Sequence, residues 1–547
     1  MAPWLKVLEE KPDHPMFNVA EAKKLLADLP QDDPLNALDE ITGWLASVKE
    51  TVGFRPERRA EIIMLLDETA QPFHTTLLNN YLAEANLQDF NSMRMWQGVL
   101  IFMRALTDAY ALCVEECGQE EKKSPALQEK MPIIFARLLR ATAEQVKLGL
   151  MRYTKIEHPL WEQLYQYYNL AVENQLAETL VFAYTKGTPQ TSSQRELLRA
   201  VLLHVSSPAS LAPDQIEVSF RIAARLSSFF DFTEVPEEDC GYCFDLAQPA
   251  APKEVTAKIQ VTPTMRFFGA LRAVPKVAEI IHEKERNKQY EELGLDNDFT
   301  PQGKLTVLKH LQAYWGKDHP YRRQDRRTIK TSIEVIHGFK TISKRVTQAE
   351  LDHMTDLSAE EVQMLKGEST LNLAATEEDK ELVSETWDVL DISVSGIGGR
   401  LPGAASGWIK VGALCGLKAS NSEVWWVGVI RRLETDEEGQ MCVGTEILTK
   451  KPLSIWLRSL GKEVQSTSGW ETSTGSFKYT YVSAILVPDA QGSYAEATLL
   501  MESGSFRADY VFEVMMGEKS SNIRLFGLLA QGADFERISV QWINTAT

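Results

Sequence analysis

The sequence predicts an α+β protein of several domains, in which an all-α N-terminal region precedes β structure. From about Asn18 to Pro236, apolar residues such as Val99 and Phe102 recur at spacings of three and four, the period of an amphipathic helix. Beyond about Arg327, short β-branched and aromatic runs alternate with glycine, as in strands and turns that form a small barrel. The length of 547 residues suits about two to four domains. The predicted domains are a helical domain (1–190), a second, mainly helical but mixed region (191–315), a β-barrel (316–460) and a C-terminal β region (461–547).

Turn and capping residues divide the helical regions into separate helices. Prolines and glycines interrupt the pattern at Pro30–Pro34, Gly118–Pro125 and Gly187–Pro189. Ser193 is followed three residues later by Glu196, which fits a capping box and predicts that a helix begins there.

The stretch between Pro236 and Pro263 has a mixed pattern. Phe244 and its neighbours, and Lys258–Thr262, predict pieces of strand and turn. Helix is predicted to resume from about Thr264 and to end near Trp315, ahead of Gly316 and Pro320.

An arginine cluster follows directly after this last helix. Residues 321–327 read Tyr-Arg-Arg-Gln-Asp-Arg-Arg and fit an RxxxR pattern in two ways, as Arg322 with Arg326 or as Arg323 with Arg327. A guanidinium group matches the O6 and N7 acceptors of guanine with two hydrogen bonds, stacks on a base and pairs with phosphate. Taken alone, such a cluster is more typical of a solvated basic patch.

A second motif begins 65 residues after Arg326. Residues 391–396 read Asp-Ile-Ser-Val-Ser-Gly and fit DxSxxG through Asp391, Ser393 and Gly396. A carboxylate accepts the N–H groups on the other edge of guanine, a serine hydroxyl can serve phosphate or base, and glycine allows a tight turn or a close ligand. Alone the motif is a common turn composition. Together the two motifs supply complementary halves of one guanine site.

In this order, each followed by strand-like sequence, the two motifs resemble the ligand signature of PilZ domains, the bacterial receptors for the second messenger cyclic di-GMP. Gly428–Arg432 and Val443–Glu446 are also similar to PilZ sequence. The resemblance implies a six-stranded barrel that binds cyclic di-GMP, with no metal and no cofactor. The residues that it implies for the ligand are Arg322, Arg323, Arg326, Arg327, Asp391, Ser393 and Gly396.

One departure from the family pattern is the distance between the motifs, which usually lie about one hairpin apart. The excess is predicted to be an insertion at about 339–385, where Ser358 and Glu361 fit a capping box and predict a short helix. Insertions in surface loops carry a modest entropic cost. The insertion either lies over the ligand site or docks a partner, and it leaves open that the two motifs do not converge.

Short β-type runs predict the strands of both β regions. In the barrel they are Ile329–His337, Trp387–Leu390, Trp408–Val411, Val424–Arg432 and Cys442–Leu448. After a polar, turn-rich stretch they are Tyr479–Val487, Ala497–Met501, Asp509–Met515, Ile523–Leu529 and Arg537–Trp542. The later strands form a second small β domain, an extension of the first barrel or a degenerate second PilZ-like barrel, and neither motif precedes them.

Composition and charge exclude several classes of protein. The formal net charge of −18 and the pI near 5.2 argue against an extended nucleic-acid-binding surface. No apolar run is expected to reach the roughly 18–20 residues that span a bilayer, and the first residues lack a signal-peptide core. The expected location is the cytoplasm.

The cysteines and the possible catalytic residues give little support for a redox or enzymatic function. Cys240 and Cys243 form a lone CxxC, which is a redox pair, half of a zinc site or simply two thiols in a loop. The nine histidines are scattered, and no phosphate loop or nucleophile motif is present in the sequence. The sequence therefore predicts a protein that is not an enzyme.

The function that the sequence predicts is that of a cyclic di-GMP effector. The N-terminal helical region is expected to bind a protein partner or to rearrange when the ligand binds. One alternative is a PilZ-like interaction scaffold that does not bind nucleotide. Another is a thiol-redox protein that uses Cys240 and Cys243.

Overall fold

The structure is a computed structural model. It describes residues 13–83, 89–119, 124–184, 189–287, 293, 295, 299–316, 320, 326–353, 384–403, 405–420, 422–459, 470–474, 477–489, 491–516 and 519–543. The chain divides into two compact units, Met1–Tyr321 and Arg322–Thr547. The first unit is helical with one small sheet, and the second contains two β-barrels. The predicted α+β multidomain class is confirmed.

Ten helices lie in the described part of the first unit. They are α1 (Val19–Ala27), α2 (Pro34–Glu50), α3 (Pro56–Ala83), α4 (Phe90–Gln119), α5 (Pro125–Met151), α6 (His158–Glu173), α7 (Ser193–Val205), α8 (Pro213–Leu226), α9 (Ala273–Asn287) and α10 (Pro301–Trp315). Side-chain caps begin several of them: Asp33 accepts the Asn36 backbone N–H at the start of α2. The predicted cap of α7 lies one residue earlier than Ser193, because Ser192 accepts the N–H of Arg195.

Helix α4 corrects the expectation that no apolar run reaches membrane-spanning length. Phe90–Gly118 is long and apolar enough to cross a bilayer by length and composition, and half of its most apolar stretch is buried inside the protein. The buried face includes the predicted helical pattern of Val99, Phe102 and Tyr110, which packs against α2, α3 and α5. A helix in the core of a protein can be equally long and apolar, so these two properties do not by themselves indicate a membrane span.

A four-stranded sheet in the first unit corrects the helix predicted from Thr264. The strands are β1 (Asp231–Thr233), β2 (Tyr242–Asp245), β3 (Lys253–Glu254) and β4 (Met265–Gly269), in the order β1-β4-β2-β3. All five residues of β4 are buried, and the strand pairs with β1 and β2 on its two edges. Continuous burial of this kind suits a central strand and not an amphipathic helix. Of Lys258–Thr262, predicted as a piece of strand and turn, Lys258 lies in a turn and no residue lies in a strand.

The first barrel is closed by six antiparallel strands. They are β5 (Arg327–His337), β6 (Glu385–Ile392), β7 (Gly396–Arg400), β8 (Leu414–Ala419), β9 (Trp426–Thr435) and β10 (Met441–Thr449), in the order β10-β7-β6-β5-β8-β9. Four predicted strands are confirmed, whereas the strand predicted at Trp408–Val411 is wrong. Trp408 lies in a loop, where its indole N–H donates to Glu385 at 2.8 Å and its ring stacks on His337.

The second barrel repeats this strand order. Its strands are β11 (Leu453–Ser459), β12 (Trp470–Thr474), β13 (Phe477–Val487), β14 (Thr498–Glu502), β15 (Val511–Met516), β16 (Lys519–Gln531) and β17 (Phe535–Ile543). Pairing of β11 with β13 closes six of them into a ring, and β12 adds to β13 outside it. In chain order both rings connect their strands as 1-2-3-6-5-4. This ring begins at Leu453, eight residues before the predicted boundary at 461.

Helix α11 (Phe339–His353) occupies the start of the predicted insertion and joins the two barrels. Ile342 and Val346 belong to a buried cluster that contains Val427 of the first barrel and Ile485 of the second. The Ser343 hydroxyl lies 2.7 Å from the hydroxyl of Ser483 in the second barrel. The short helix predicted at 358–361 lies outside the described residues.

Candidate functional site

The two motifs meet at one end of the first barrel. Strands β5 and β6 are antiparallel, so the start of β5 lies beside the end of β6, with Thr328 opposite Asp391. Arg326, the residue before β5, donates from Nη1 to both carboxylate oxygens of Asp391, at 2.7 and 2.9 Å. Two groups 65 residues apart in sequence are therefore in direct contact. The insertion leaves the ends of β5 and β6 paired.

The Arg326–Asp391 pair is accessible to solvent. The side chain of Arg326 is 34% exposed and that of Asp391 is 27% exposed. An exposed ion pair contributes about 0–1 kcal/mol to stability, because water screens the charges and both side chains lose freedom. The pair can therefore open or share its hydrogen bonds with an incoming polar ligand at low cost.

Ser393 and Gly396 close the turn between β6 and β7. The Ser393 backbone N–H donates to the Gly396 carbonyl at 2.8 Å, and its hydroxyl donates to the same oxygen at 3.3 Å. Between them Val394 is 74% exposed. The turn thus presents the end of β6 to solvent while Ser393 is fixed by its own backbone.

The structure gives a different reason for Gly396 from the one expected. Gly396 is buried at the start of β7, and its φ is not among the positive values of the described chain. A Cβ atom at this position would lie 2.8 Å from the carbonyl oxygen of Thr445 on β10. Glycine is needed here because β10 approaches closely, and not because the turn demands a left-handed residue.

Of the remaining arginines of the cluster, the structure describes Arg327. Arg322 and Arg323 lie outside the described residues. Arg327 is exposed at the first position of β5, opposite Ile392. Of the two RxxxR interpretations, the one that contains Arg326 includes the arginine that contacts Asp391.

Sequence reasoning missed Gly398 as part of this site. Gly398 lies opposite Asp391 in the β6–β7 ladder. The signal was present in the sequence as the run Gly396-Ile-Gly398-Gly399 directly after the motif, but the register that sets Gly398 under the carboxylate is a property of the fold.

The surroundings of the CxxC pair disfavour a reactive thiolate at Cys243. Cys240 and Cys243 are both buried, in a cluster with Met265 and Phe267. Burial raises the pKa of the Cys243 thiol above its ordinary value, which disfavours the reactive thiolate. Among the residues that the structure describes, no group of three or more His, Cys, Asp or Glu side chains could hold a metal ion.

A family comparison bears on the first unit. Residues 20–237 match the model of the family described as cyclic-di-GMP receptor FimW, N-terminal domain. The helical unit is similar to part of a cyclic di-GMP receptor. The match covers less than half of the chain, lies within the first unit and does not include the residues of the two motifs.

The other comparisons add little. No curated protein matches the chain. Among solved structures, one match is MrkH, described as a c-di-GMP-dependent transcription regulatory factor, at 5% identity, with 30% of this chain and 74% of that chain covered and a TM-score of 0.13. At that TM-score the likeness carries no argument about fold or function.

Proposed function

We propose that this chain is a cyclic di-GMP receptor whose PilZ-type ligand site lies where β5 begins and β6 ends. The observation that carries the proposal is the contact of Arg326 with both carboxylate oxygens of Asp391 at an accessible end of a six-stranded barrel. The match of residues 20–237 to a cyclic di-GMP receptor family supports the receptor function, though not the position of the site, and does so independently because it concerns the other unit of the chain.

In the proposed complex the ligand replaces the internal ion pair. The Arg326 guanidinium donates to O6 and N7 of one guanine, and Asp391 accepts the N–H groups on the opposite edge of a guanine. Arg322, Arg323 and Arg327 pair with the phosphates, since arginine binds phosphate with two parallel hydrogen bonds. Ser393 adds a hydroxyl near the phosphate or base, and Gly396 keeps the turn against β10.

The rest of the proposal concerns output. The chain acts as a non-enzymatic effector in the cytoplasm, and its helical unit binds a protein partner. The arginine cluster stands in sequence at the boundary between the two units, Tyr321 and Arg322, so ligand binding there can favour one arrangement of the units over another. The expected sign is slower hydrogen exchange across residues 315–330 when cyclic di-GMP is added. Unchanged exchange with ligand bound would contradict this coupling.

The deciding experiment is calorimetric titration of the full chain with cyclic di-GMP. Arg326→Ala and Asp391→Ala should each weaken binding by about tenfold or more, because each removes hydrogen bonds between charged and polar groups. The matched control is Arg400→Ala, which removes an Arg–Asp pair of similar exposure (with Asp436, 3.1 Å) at the other end of β7.

Two results would contradict the proposal. One is the absence of binding by the folded wild-type chain. Arg326–Asp391 would then be a surface ion pair with no role in ligand binding, and the scaffold alternative would be favoured. The other is an affinity in Arg326→Ala equal to that of Arg400→Ala. Cyclic di-AMP is the ligand control, since adenine presents an N–H donor where guanine presents O6.

A further inference from the structure

Gly398 lies directly beneath the Asp391 carboxylate. The two residues face each other in the β6–β7 ladder, just past an irregularity in register between Val389 and Asp391. A Cβ atom at position 398 would lie 2.8 Å from Oδ1, 3.0 Å from Cγ and 3.1 Å from Oδ2 of Asp391. The absence of a side chain at 398 is therefore what leaves room for the carboxylate.

The carboxylate lies between Arg326, which precedes β5, and Gly398 of β7. On the β5 side Arg326 donates to both oxygens, and on the β7 side Gly398, which has no side chain, leaves the space that the carboxylate occupies. We infer that Gly398 is a positioning residue of the proposed ligand site, which holds Asp391 in the orientation that meets Arg326 in the free protein and guanine in the proposed complex. This inference rests on the proposed function for its ligand and on the β6–β7 geometry for its mechanism.

Other glycines of the first barrel meet different neighbours. An added Cβ would meet the Thr445 carbonyl at Gly396 and the indole of Trp387 at Gly399. At Gly444, the residue of β10 that pairs with Gly398, it would lie 3.2 Å from Cβ of Arg432. Among the glycines that the structure describes, Gly398 is the one whose added methyl group would meet Asp391.

The clash at Gly398 has an inexpensive resolution. Strand β7 is held by hydrogen-bonded ladders to β6 and β10 on its two edges, so its backbone resists movement. The Asp391 carboxylate ends a side chain with two rotatable bonds and is partly exposed, so it rotates away instead. Rotation removes the acceptor from Arg326 and from the guanine N–H groups while the barrel stays folded.

The test compares cyclic di-GMP affinity in four full-length variants by calorimetry. Gly398→Ala should weaken binding about tenfold, by the loss of the Asp391 hydrogen bonds. Gly444→Ala, its cross-strand neighbour, should bind as the wild type does. In the Asp391→Ala background, adding Gly398→Ala should cause no further loss, because the carboxylate that the methyl group displaces is already gone. A purely structural role for Gly398 would instead weaken binding equally in both backgrounds.

A ligand-free measurement separates this inference from the proposed function. In a crystal structure of Gly398→Ala, the Arg326–Asp391 contacts of 2.7 and 2.9 Å should lengthen beyond hydrogen-bonding distance. Retention of those contacts, or wild-type affinity in Gly398→Ala, overturns the inference. If the wild type binds no cyclic di-GMP, the proposed function fails and the contacts alone decide the role of Gly398. If Gly398→Ala does not fold, Asp391→Ala/Gly398→Ala should fold, and its failure to do so also overturns the inference.

Discussion

Two glycines on one strand, Gly396 and Gly398, show how neighbouring residues of the same type serve different purposes. An added methyl group at Gly396 meets the backbone of β10, whereas at Gly398 it meets a movable side chain. Backbone in a closed barrel has no inexpensive way to move. The first substitution is therefore expected to change stability and the second to change the ligand site.

Gly396→Ala should lower the free energy of unfolding by about 1–3 kcal/mol, because the added Cβ would overlap the Thr445 carbonyl. Urea titration of the full chain, followed by tryptophan fluorescence, measures the change. Gly444→Ala is the control, since its Cβ meets a side-chain methylene at 3.2 Å. Equal stability of Gly396→Ala and Gly444→Ala would contradict the close approach of β10.

The thiols of Cys240 and Cys243 should react slowly with iodoacetamide at pH 7. Both are buried, and burial raises the pKa of Cys243, so little thiolate is available. Burial raises the pKa of Cys442 too, but Cys117 and Cys442 are partly exposed to the reagent and should be alkylated first, as peptide mapping after timed quenching would show. In denaturant all six cysteines should react alike. Alkylation of Cys240 or Cys243 ahead of Cys442 would restore the redox alternative.

At the scale of elements, α11 fixes one barrel to the other. Ile342 is fully buried in the cluster that both barrels share, so Ile342→Ala leaves a cavity and should cost about 2–5 kcal/mol. Both barrels should lose stability together in hydrogen exchange. Lys344→Ala, at an exposed position of the same helix, is the control. Loss of protection in only one barrel would mean that α11 does not couple them.

The helices of the first unit are joined by buried ion pairs. Lys147 of α5 donates to Glu217 of α8 at 2.6 Å, and Arg140 of α5 donates to Glu196 of α7. Burial alone would raise the pKa of Glu217, but Lys147 and Arg221 outweigh it and lower the pKa to about 2. In the same way Arg140 and other partners lower the pKa of Glu196 despite its burial.

These lowered pKa values predict acid sensitivity of the helical unit. A carboxyl whose pKa is lower in the folded than in the unfolded chain stabilises the fold above its ordinary pKa of about 4.5, and this stability is lost as pH falls toward the folded value. Helix content measured by circular dichroism should therefore fall between about pH 4.5 and pH 2.

Lys147→Met should move the acid transition to higher pH. Without Lys147, the buried carboxylates of Glu144 and Glu217 lose their shared cation, which should cost about 3–5 kcal/mol at neutral pH. Circular dichroism across the same pH range measures the shift of the acid transition. Lys130→Met, which removes a partly exposed ion pair with Glu61, is the control. An acid transition unchanged by Lys147→Met would show that the pair contributes no net stability.

At the scale of the whole molecule, two barrels of one strand order carry different residues at corresponding places. In the first barrel Thr328 pairs with Asp391, and Asp391 pairs with Gly398. In the second ring the corresponding pairs are Leu453 with Leu486, and Leu486 with Leu499. Leu486 is the second-to-last residue of β13, as Asp391 is of β6, and Lys451 precedes Leu453 by two residues, as Arg326 precedes Thr328.

The chain should therefore have one class of cyclic di-GMP site. In the double variant Arg326→Ala/Asp391→Ala, calorimetry should give no residual binding, because the second barrel lacks a guanine-reading carboxylate at the corresponding position. Lys451→Ala should leave the affinity of an otherwise wild-type chain unchanged. If the double variant still bound cyclic di-GMP, and adding Lys451→Ala removed that binding, a second site would lie in the second barrel.

Most of the fold class could be predicted from local sequence. Helical spacing identified α4 through Val99 and Phe102, and β-type runs identified β9 and most later strands, because side-chain periodicity is a local property. Predictions failed where a segment's structure depends on the strands or side chains that it contacts. The β4 sequence is a central strand because β1 and β2 pair with its two edges. Trp408 lies in a loop and not in the predicted strand, and its indole N–H donates to Glu385.

The sequence by itself determined the chemistry of the proposed site, since residue types fix which groups can read guanine or bind phosphate. Only the tertiary structure decided that Arg326 contacts Asp391 across 65 residues of sequence. It also decided that Gly396 lies close to the backbone of β10 and that Gly398 leaves room for the Asp391 carboxylate. It also decided that the later strands close into a second ring. Each of these depends on which strands pair and in what register, and register is set by long-range packing that no local pattern records.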